Sequence, residues 1–271
     1  MKKSNIFNVY SDGDVVFLRH KILDGLDGVN HAVSTRHGGV STGEDVRSMN
    51  LGFNTCDTKE NVTENYRIFC KSAGFDDKRL VFAYQTHSAN VRYVTDADCG
   101  KGIYKERDYT DVDALITDCK NVPLVIHTAD CVPVAFYDTV SGAIGNAHCG
   151  HRGTFARLAV KTLEEMESKF GTNPKDVICA IGPAICDSCY EVSYDLYEKF
   201  KAEFGYDDAT YTKNSKYYLN LMKINELMLK EKGVEKFSVS DKCTCCEKDD
   251  LFSHRGLGKG RGLISSIIER R

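Results

Sequence analysis

Three segments of this 271-residue chain place a metal-competent side chain just after an apolar, strand-like run: Gln85-Thr86-His87, Ala129-Asp130-Cys131 and Asn146-Ala147-His148. Two imidazoles and a thiolate form a donor set suited to Zn²⁺, a borderline-soft ion that accepts nitrogen and sulfur together. Three protein ligands leave a fourth position for water or substrate, the catalytic arrangement, whereas structural zinc is closed by four. The three residues are too far apart for any short metal signature. Residue type alone therefore leaves hydrogen-bonded histidines and a buried cysteine as the competing reading.

The run His148-Cys149-Gly150-His151-Arg152-Gly153 leaves a strand and is expected to enter a helix near Thr154. A glycine-containing loop feeding a helix N-terminus offers free N–H groups, and the helix dipole favours an anion there. Arg152 adds a guanidinium fork that fits phosphate; the alternative is that it pairs a carboxylate and the glycines only make the turn. Asp130 is a candidate catalytic acid or base, or a partner that orients a histidine, with a purely structural hydrogen bond as the other reading.

The elements that must carry these groups read as short strands separated by Gly, Asp or Asn. They are expected over 14–19, 31–36, 79–83, 114–117, 123–127, 132–137, 142–147, 177–181 and 237–239. Helices are expected mostly in the second half: from Thr154 to Gly171, from a Ser193 cap to Gly205, and from Asn220 to Gly233. Strands with inserted helices indicate a mixed α+β sandwich, read as one domain over residues 1–271.

With 36 basic and 39 acidic residues the net charge is −3, so no global field draws the chain to nucleic acid or an anionic membrane, and any anion site must be local. The apolar runs are far shorter than the ~20 residues that span a bilayer. Polar residues interrupt the N-terminal segment where an export signal would need an apolar core. Twelve cysteines in a chain of this length do not make a disulfide scaffold. The expectation is a reduced, cytoplasmic protein in which most cysteines are small buried hydrophobes.

A resemblance becomes specific along most of the chain: Ser34-Thr35-Arg36-His37-Gly38-Gly39-Val40-Ser41, Met49-Asn50-Leu51-Gly52, Gln85-Thr86-His87, Asp113-Ala114-Leu115, Ala129-Asp130-Cys131-Val132-Pro133-Val134, the His148 loop, Ile181-Gly182-Pro183-Ala184-Ile185, Cys189-Tyr190-Glu191-Val192 and Phe252-Ser253-His254-Arg255. In these motifs the chain resembles the YfiH family, the laccase-domain or "polyphenol oxidase" proteins regarded as zinc-dependent purine nucleoside phosphorylases. The resemblance implies zinc on His87, Cys131 and His148. It also implies an α/β/β/α sandwich of two packed mixed sheets flanked by helices, similar to the catalytic domain of cytotoxic necrotizing factors. The implied activity is phosphorolysis of adenosine, inosine and methylthioadenosine, with some adenosine deamination. Phosphate and purine nucleosides are then the partners; monomer and homodimer both stay open. Arg152 and Arg36 are candidates to hold phosphate, and Asn50, His151 and Arg255 are further candidates for substrate contact. Cys149 and His151 replace the alanine and tryptophan usual in the family's loop, and an imidazole at 151 stacks less extensively on a base than indole but can exchange a proton.

Cys186-Asp-Ser-Cys189 and Cys243-Thr-Cys245-Cys246 resemble halves of a zinc ribbon, but the interval is far longer than the usual ~15–20 residues, which favours incidental thiols. The glycine-rich basic loop 256–262 lacks a Walker ending and reads as a turn from which Arg255 or Arg261 can approach phosphate. The His-x-Glu…Pro-Cys-x-x-Cys deaminase signature is absent, so any deamination uses another zinc geometry. The main rival is a Cys-His hydrolase or deamidase with Cys131 as nucleophile and His148 as base. Copper is the alternative metal, but a copper-dependent phenol oxidase is disfavoured because one His/Cys/His set has too few ligands for a multicopper centre. A closed, non-catalytic zinc module is the third.

Overall fold

Segments such as 132–138 and 177–181 are apolar at nearly every position, the pattern of strands covered on both faces rather than one. The computed structural model describes all 271 residues. In chain order its strands are β1 (Phe7–Asp12), β2 (Val15–His20), β3 (Val29–Ser34), β4 (Val81–Phe82), β5 (Val91–Tyr93), β6 (Ala114–Thr117), β7 (Leu124–Thr128), β8 (Val132–Asp138), β9 (Ile144–Cys149), β10 (Val177–Ile181), β11 (Glu191–Val192), β12 (Thr210–Lys213), β13 (Lys216–Leu219), β14 (Lys236–Val239) and β15 (Ile264–Arg270). The helices are α1 (Lys59–Ala73), α2 (His151–Phe155), α3 (Leu158–Phe170), α4 (Tyr194–Phe204), α5 (Leu221–Glu231) and α6 (His254–Leu257).

Two six-stranded mixed sheets form, ordered β1-β2-β3-β15-β7-β4 and β14-β10-β8-β9-β6-β5. Most neighbours are antiparallel; β4–β7, β5–β6 and β10–β14 are parallel. Because strand side chains alternate faces, β8 sends Ala135 and Tyr137 inward to meet Leu124 and Ile126 of β7, and Val132, Val134 and Phe136 outward onto α3 and α5. Val125 of β7 and Ile267 of β15 point the other way, onto Val62, Tyr66 and Phe69 of α1. The result is helix, sheet, sheet, helix. Buried Asn146 of β9 ties the two sheets by donating to the carbonyls of Leu124 and Ser266 at 3.0 and 2.9 Å.

The expected strands fall within a few residues of observed ones, and 114–117 and 177–181 coincide with them. Ser193 caps α4 by accepting from the Leu196 N–H, and Gly205 ends it in the left-handed conformation that glycine adopts without strain. The single helix expected from Thr154 to Gly171 is instead α2 and α3, broken where Arg157 takes φ +58°. Helix α1, outside the expected second-half helices, carries its own signals: a Thr58 cap and a stripe of Val62, Tyr66, Phe69, Cys70 and Ala73. A small third sheet, β11-β13-β12, lies outside the expected strands.

Candidate active site

Three strand ends meet at one edge of the sandwich. His87 lies in the loop after β4, Cys131 in the turn by which the chain crosses from β7 to β8 and so between sheets, and His148 near the end of β9. The β8–β9 register sets Pro133 opposite His148, which places Cys131 just beyond it. The donor atoms of His87, Cys131 and His148 all lie within 4.8 Å of one another, with Cys131 Sγ 3.9 Å from His87 Nε2. That spacing suits one ion with ~2.0–2.3 Å bonds to nitrogen and sulfur. A Cβ on Gly150 would stand 2.9 Å from Cys131 Sγ and 3.1 Å from His87 Cδ2, so the loop needs glycine there to leave the centre open.

One fully buried carboxylate organises two of the three ligands. Asp113 Oδ1 accepts from His148 Nδ1–H at 2.7 Å and from the His87 N–H at 3.1 Å. Its Oδ2 accepts from the Thr86 and Ser88 N–H groups and the Ser88 hydroxyl at 2.8–2.9 Å. Holding the proton on Nδ1 leaves Nε2 of His148 as the ligating nitrogen. Burial alone would raise the Asp113 carboxyl; its bonds to His148 and Thr86 win and hold it down at about 2. The same cage fixes the loop in which His87 takes φ +65°. Burial likewise opposes charge on Cys131 and His148, yet the thiol is pushed down to about 6 and the imidazole up to about 9, each chiefly by the other's charge.

A cavity of about 330 Å³ opens over the three ligands. Phe53, Phe82 and His127 give it aromatic walls, and Arg107 and Arg261 give it positive charge. The Arg261 Nε is buried with no hydrogen-bond partner, while Arg107 donates to the Ala83 carbonyl and lies over Tyr84. Burial pushes the His127 imidazole down to about 3, so it is a neutral wall at pH 7. The volume is at the small end of ligand clefts, which run ~300–1,000 Å³.

The remaining expected residues lie elsewhere. The carboxylate of Asp130, at φ +93°, is engaged by the Thr244 and Ser253 hydroxyls and the Arg255 N–H at 2.6–2.7 Å. It braces the turn before Cys131 and orients no histidine; that task falls to Asp113. Arg36 donates to the carbonyls of Arg47 and Lys248 and lies over Phe252. Asn50 is buried, donating to Thr55 and Asp57 and accepting from Gly52 and Leu263. Arg255 donates to the carbonyls of Cys189 and Glu191. None of these four lines the cavity. Arg152 is exposed on α2, and His151, at its first position, is half-buried and lies outside the cavity walls. With only five residues, α2 has a small dipole, and none of its residues lines the cavity that holds Arg261. Cys186, Cys189, Cys243 and Cys246, read from sequence as incidental thiols, converge in a second cluster.

The chain belongs to the multi-copper polyphenol oxidoreductase laccase family, whose model matches residues 30–271. Among its relatives, purine nucleoside phosphorylase YlmD of Bacillus subtilis is 35% identical over 243 residues, 87% of this chain and 86% of the relative. Adenosine deaminase RL5, from an unknown prokaryotic organism, is 32% identical over 91% of this chain and 95% of its own length. The crystal structure of YlmD from Geobacillus stearothermophilus superposes with a TM-score of 0.89 at 31% identity, covering 98% of this chain and 99% of that one.

Proposed function

We propose that the chain is a zinc-dependent purine nucleoside phosphorylase acting on inosine, adenosine and methylthioadenosine. The observation that carries the reading is the His87, Cys131 and His148 cluster at the floor of a nucleoside-sized cavity that also holds Arg261. His87, Cys131 and His148 would hold the zinc ion, which when bound would supply Lewis acidity at the cavity. Copper suits the same donor types, but one such triad falls short of a multicopper centre.

The chain's own groups account for the rest. Asp113 keeps the His148 proton on Nδ1 and the 86–88 loop in place, so both imidazoles are oriented before substrate arrives. Arg261, with a free buried N–H, and Arg107 orient phosphate, while Phe53, Phe82 and His127 cover the purine faces and exclude water. A phosphate oxygen bonds to C1′ of the sugar as the N-glycosidic bond breaks; the electron pair leaves with the purine, which takes the proton that hydrogen phosphate gives up. Positioning the anion against a cationic, oxocarbenium-like sugar is the main catalytic contribution.

The test is a metal-defined assay with inosine. Hypoxanthine and ribose 1-phosphate should form only with phosphate present, and Cys131→Ser should lose at least about a hundredfold in kcat/KM, consistent with losing a metal ligand. Equal release of base without phosphate, or unchanged turnover in the variant, overturns the proposal. Adenosine and methylthioadenosine are run alongside; ammonia release from adenosine reports the deaminase activity that one relative's name carries. The lowered thiol of Cys131 beside a charged His148 favours one competing reading, a Cys-His hydrolase. Activity that survives full demetallation and is lost on alkylating Cys131 identifies it.

A further inference from the structure

The four sulfurs outside the active site come from two Cys-x-x-Cys pairs 57 residues apart in sequence. Cys186 and Cys189 lie in the turns between β10 and β11, and Cys243 and Cys246 lie in the turn-rich segment after β14. A parallel bridge between Ala184 and Cys243, with the Thr244 N–H donating to the Ala184 carbonyl at 3.1 Å, lays the two segments side by side. All four sulfurs lie within 4.8 Å of one another, and those of Cys189 and Cys246 are 3.3 Å apart. A tetrahedron of sulfurs around zinc at ~2.3 Å has edges of about 3.8 Å, so the cluster already has the size of such a shell.

A second observation points the same way. The Cys186 and Cys246 backbone N–H groups both aim at the Cys243 sulfur, at 3.2 and 3.4 Å. N–H groups directed at sulfur favour the thiolate, the form in which cysteine binds metal. Cys245, adjacent in sequence, is outside the cluster. We propose that Cys186, Cys189, Cys243 and Cys246 form a second metal site, a closed tetrathiolate that takes one zinc ion and is structural rather than catalytic. Four protein ligands leave no position for substrate.

The site has something to hold. The segment from 240 to 253 contains no helix or strand, and a crosslink to the 184–190 turns compensates for its lack of regular hydrogen bonding. The two segments it joins also frame the turn before Cys131. The Ile185 N–H donates to the Asp130 carbonyl, Thr244 donates to the Asp130 carboxylate, and the Arg255 guanidinium donates to the Cys189 carbonyl. The tetrathiolate is thereby a positioning element for the active-site edge. It stands independently of the phosphorylase reading.

The experiment counts metal in the intact chain purified under reducing conditions. Wild type should hold two zinc ions per chain, Cys131→Ser one, the Cys189→Ser/Cys246→Ser double variant one, and Cys245→Ser two. The decisive measurement needs no change to the cluster itself. Cobalt loaded into Cys131→Ser should show the intense thiolate charge-transfer and tetrahedral ligand-field bands of a four-sulfur site. Cys131→Ser protein that holds no metal, that carries cluster disulfides by mass, or that contains iron instead of zinc overturns the proposal.

Discussion

Replacing Asp113 with asparagine keeps the shape and removes one of two fully engaged oxygens. If the new amide nitrogen takes the Oδ1 position, His148 Nδ1 and the His87 N–H lose their acceptor; if it takes the Oδ2 position, the Thr86 and Ser88 N–H groups and the Ser88 hydroxyl do. At ~1–3 kcal/mol for each donor left unpaired, the milder orientation, which leaves only the His87 N–H without an acceptor, costs about 1–3 kcal/mol. In that orientation the amide donates to Nδ1, moving the imidazole proton to Nε2 and disabling the ligand. In the other, the 86–88 loop that carries His87 is released. Metal affinity should therefore fall roughly 10–100-fold either way. Urea denaturation of the metal-free protein reads the first effect, and competition against a chromophoric chelator the second. A variant within ~0.5 kcal/mol of wild type, with metal affinity unchanged, would refute the single-carboxylate account.

Gly150→Ala tests the cradle. Its φ of −66° suits alanine, so the backbone is unstrained, but the new methyl meets Cys131 Sγ and His87 Cδ2. Metal affinity should drop at least about tenfold and the crowding should cost the metal-free chain ~1–3 kcal/mol, as chelator competition and urea melts would register. Away from the site, burial pushes the Glu269 carboxyl up to about 7, against the pull of Arg271. The folded state then binds more protons than the unfolded state between pH 4.5 and 7, so stability falls as pH rises through that window, by about 3 kcal/mol. In Glu269→Gln that component should vanish; parallel pH profiles of wild type and variant in denaturant melts would count against it.

Much of the fold was legible because its signals are local. Uninterrupted apolar strands announce coverage on both faces, and Ser193 with Gly205 marks both ends of α4. Helix α1 had an equally local signature. By contrast, β15, with Ser265 and Ser266 inside an apolar run, occupies a central position in its sheet, hydrogen-bonded to β3 and β7, and no nearby residue advertises those partners. In the site, His87, Cys131 and His148 could be singled out by type and by their place after strands. Asp113 stood in a motif, yet nothing local showed that its carboxylate would face His148, because the contact is made by pairing β6 with β9. The resemblance makes Arg36, Asn50 and Arg255 candidates for substrate contact; in the structure their hydrogen bonds go to partners outside the cavity, which no local pattern displays.

Donor chemistry belongs to side chains, so the amino-acid sequence alone determined that this chain has a nitrogen and sulfur ligand set, a near-neutral surface and strands built for a double layer. Distance belongs to packing. The crossing from β7 to β8 brings Cys131 to His148, one carboxylate fixes which imidazole nitrogen is free, and a parallel bridge at Ala184 and Cys243 gathers four thiols that sequence spacing had set apart. Spacing along a chain cannot report such proximity, because a strand crossover or a single bridge brings together residues tens of positions apart at no cost that the sequence displays.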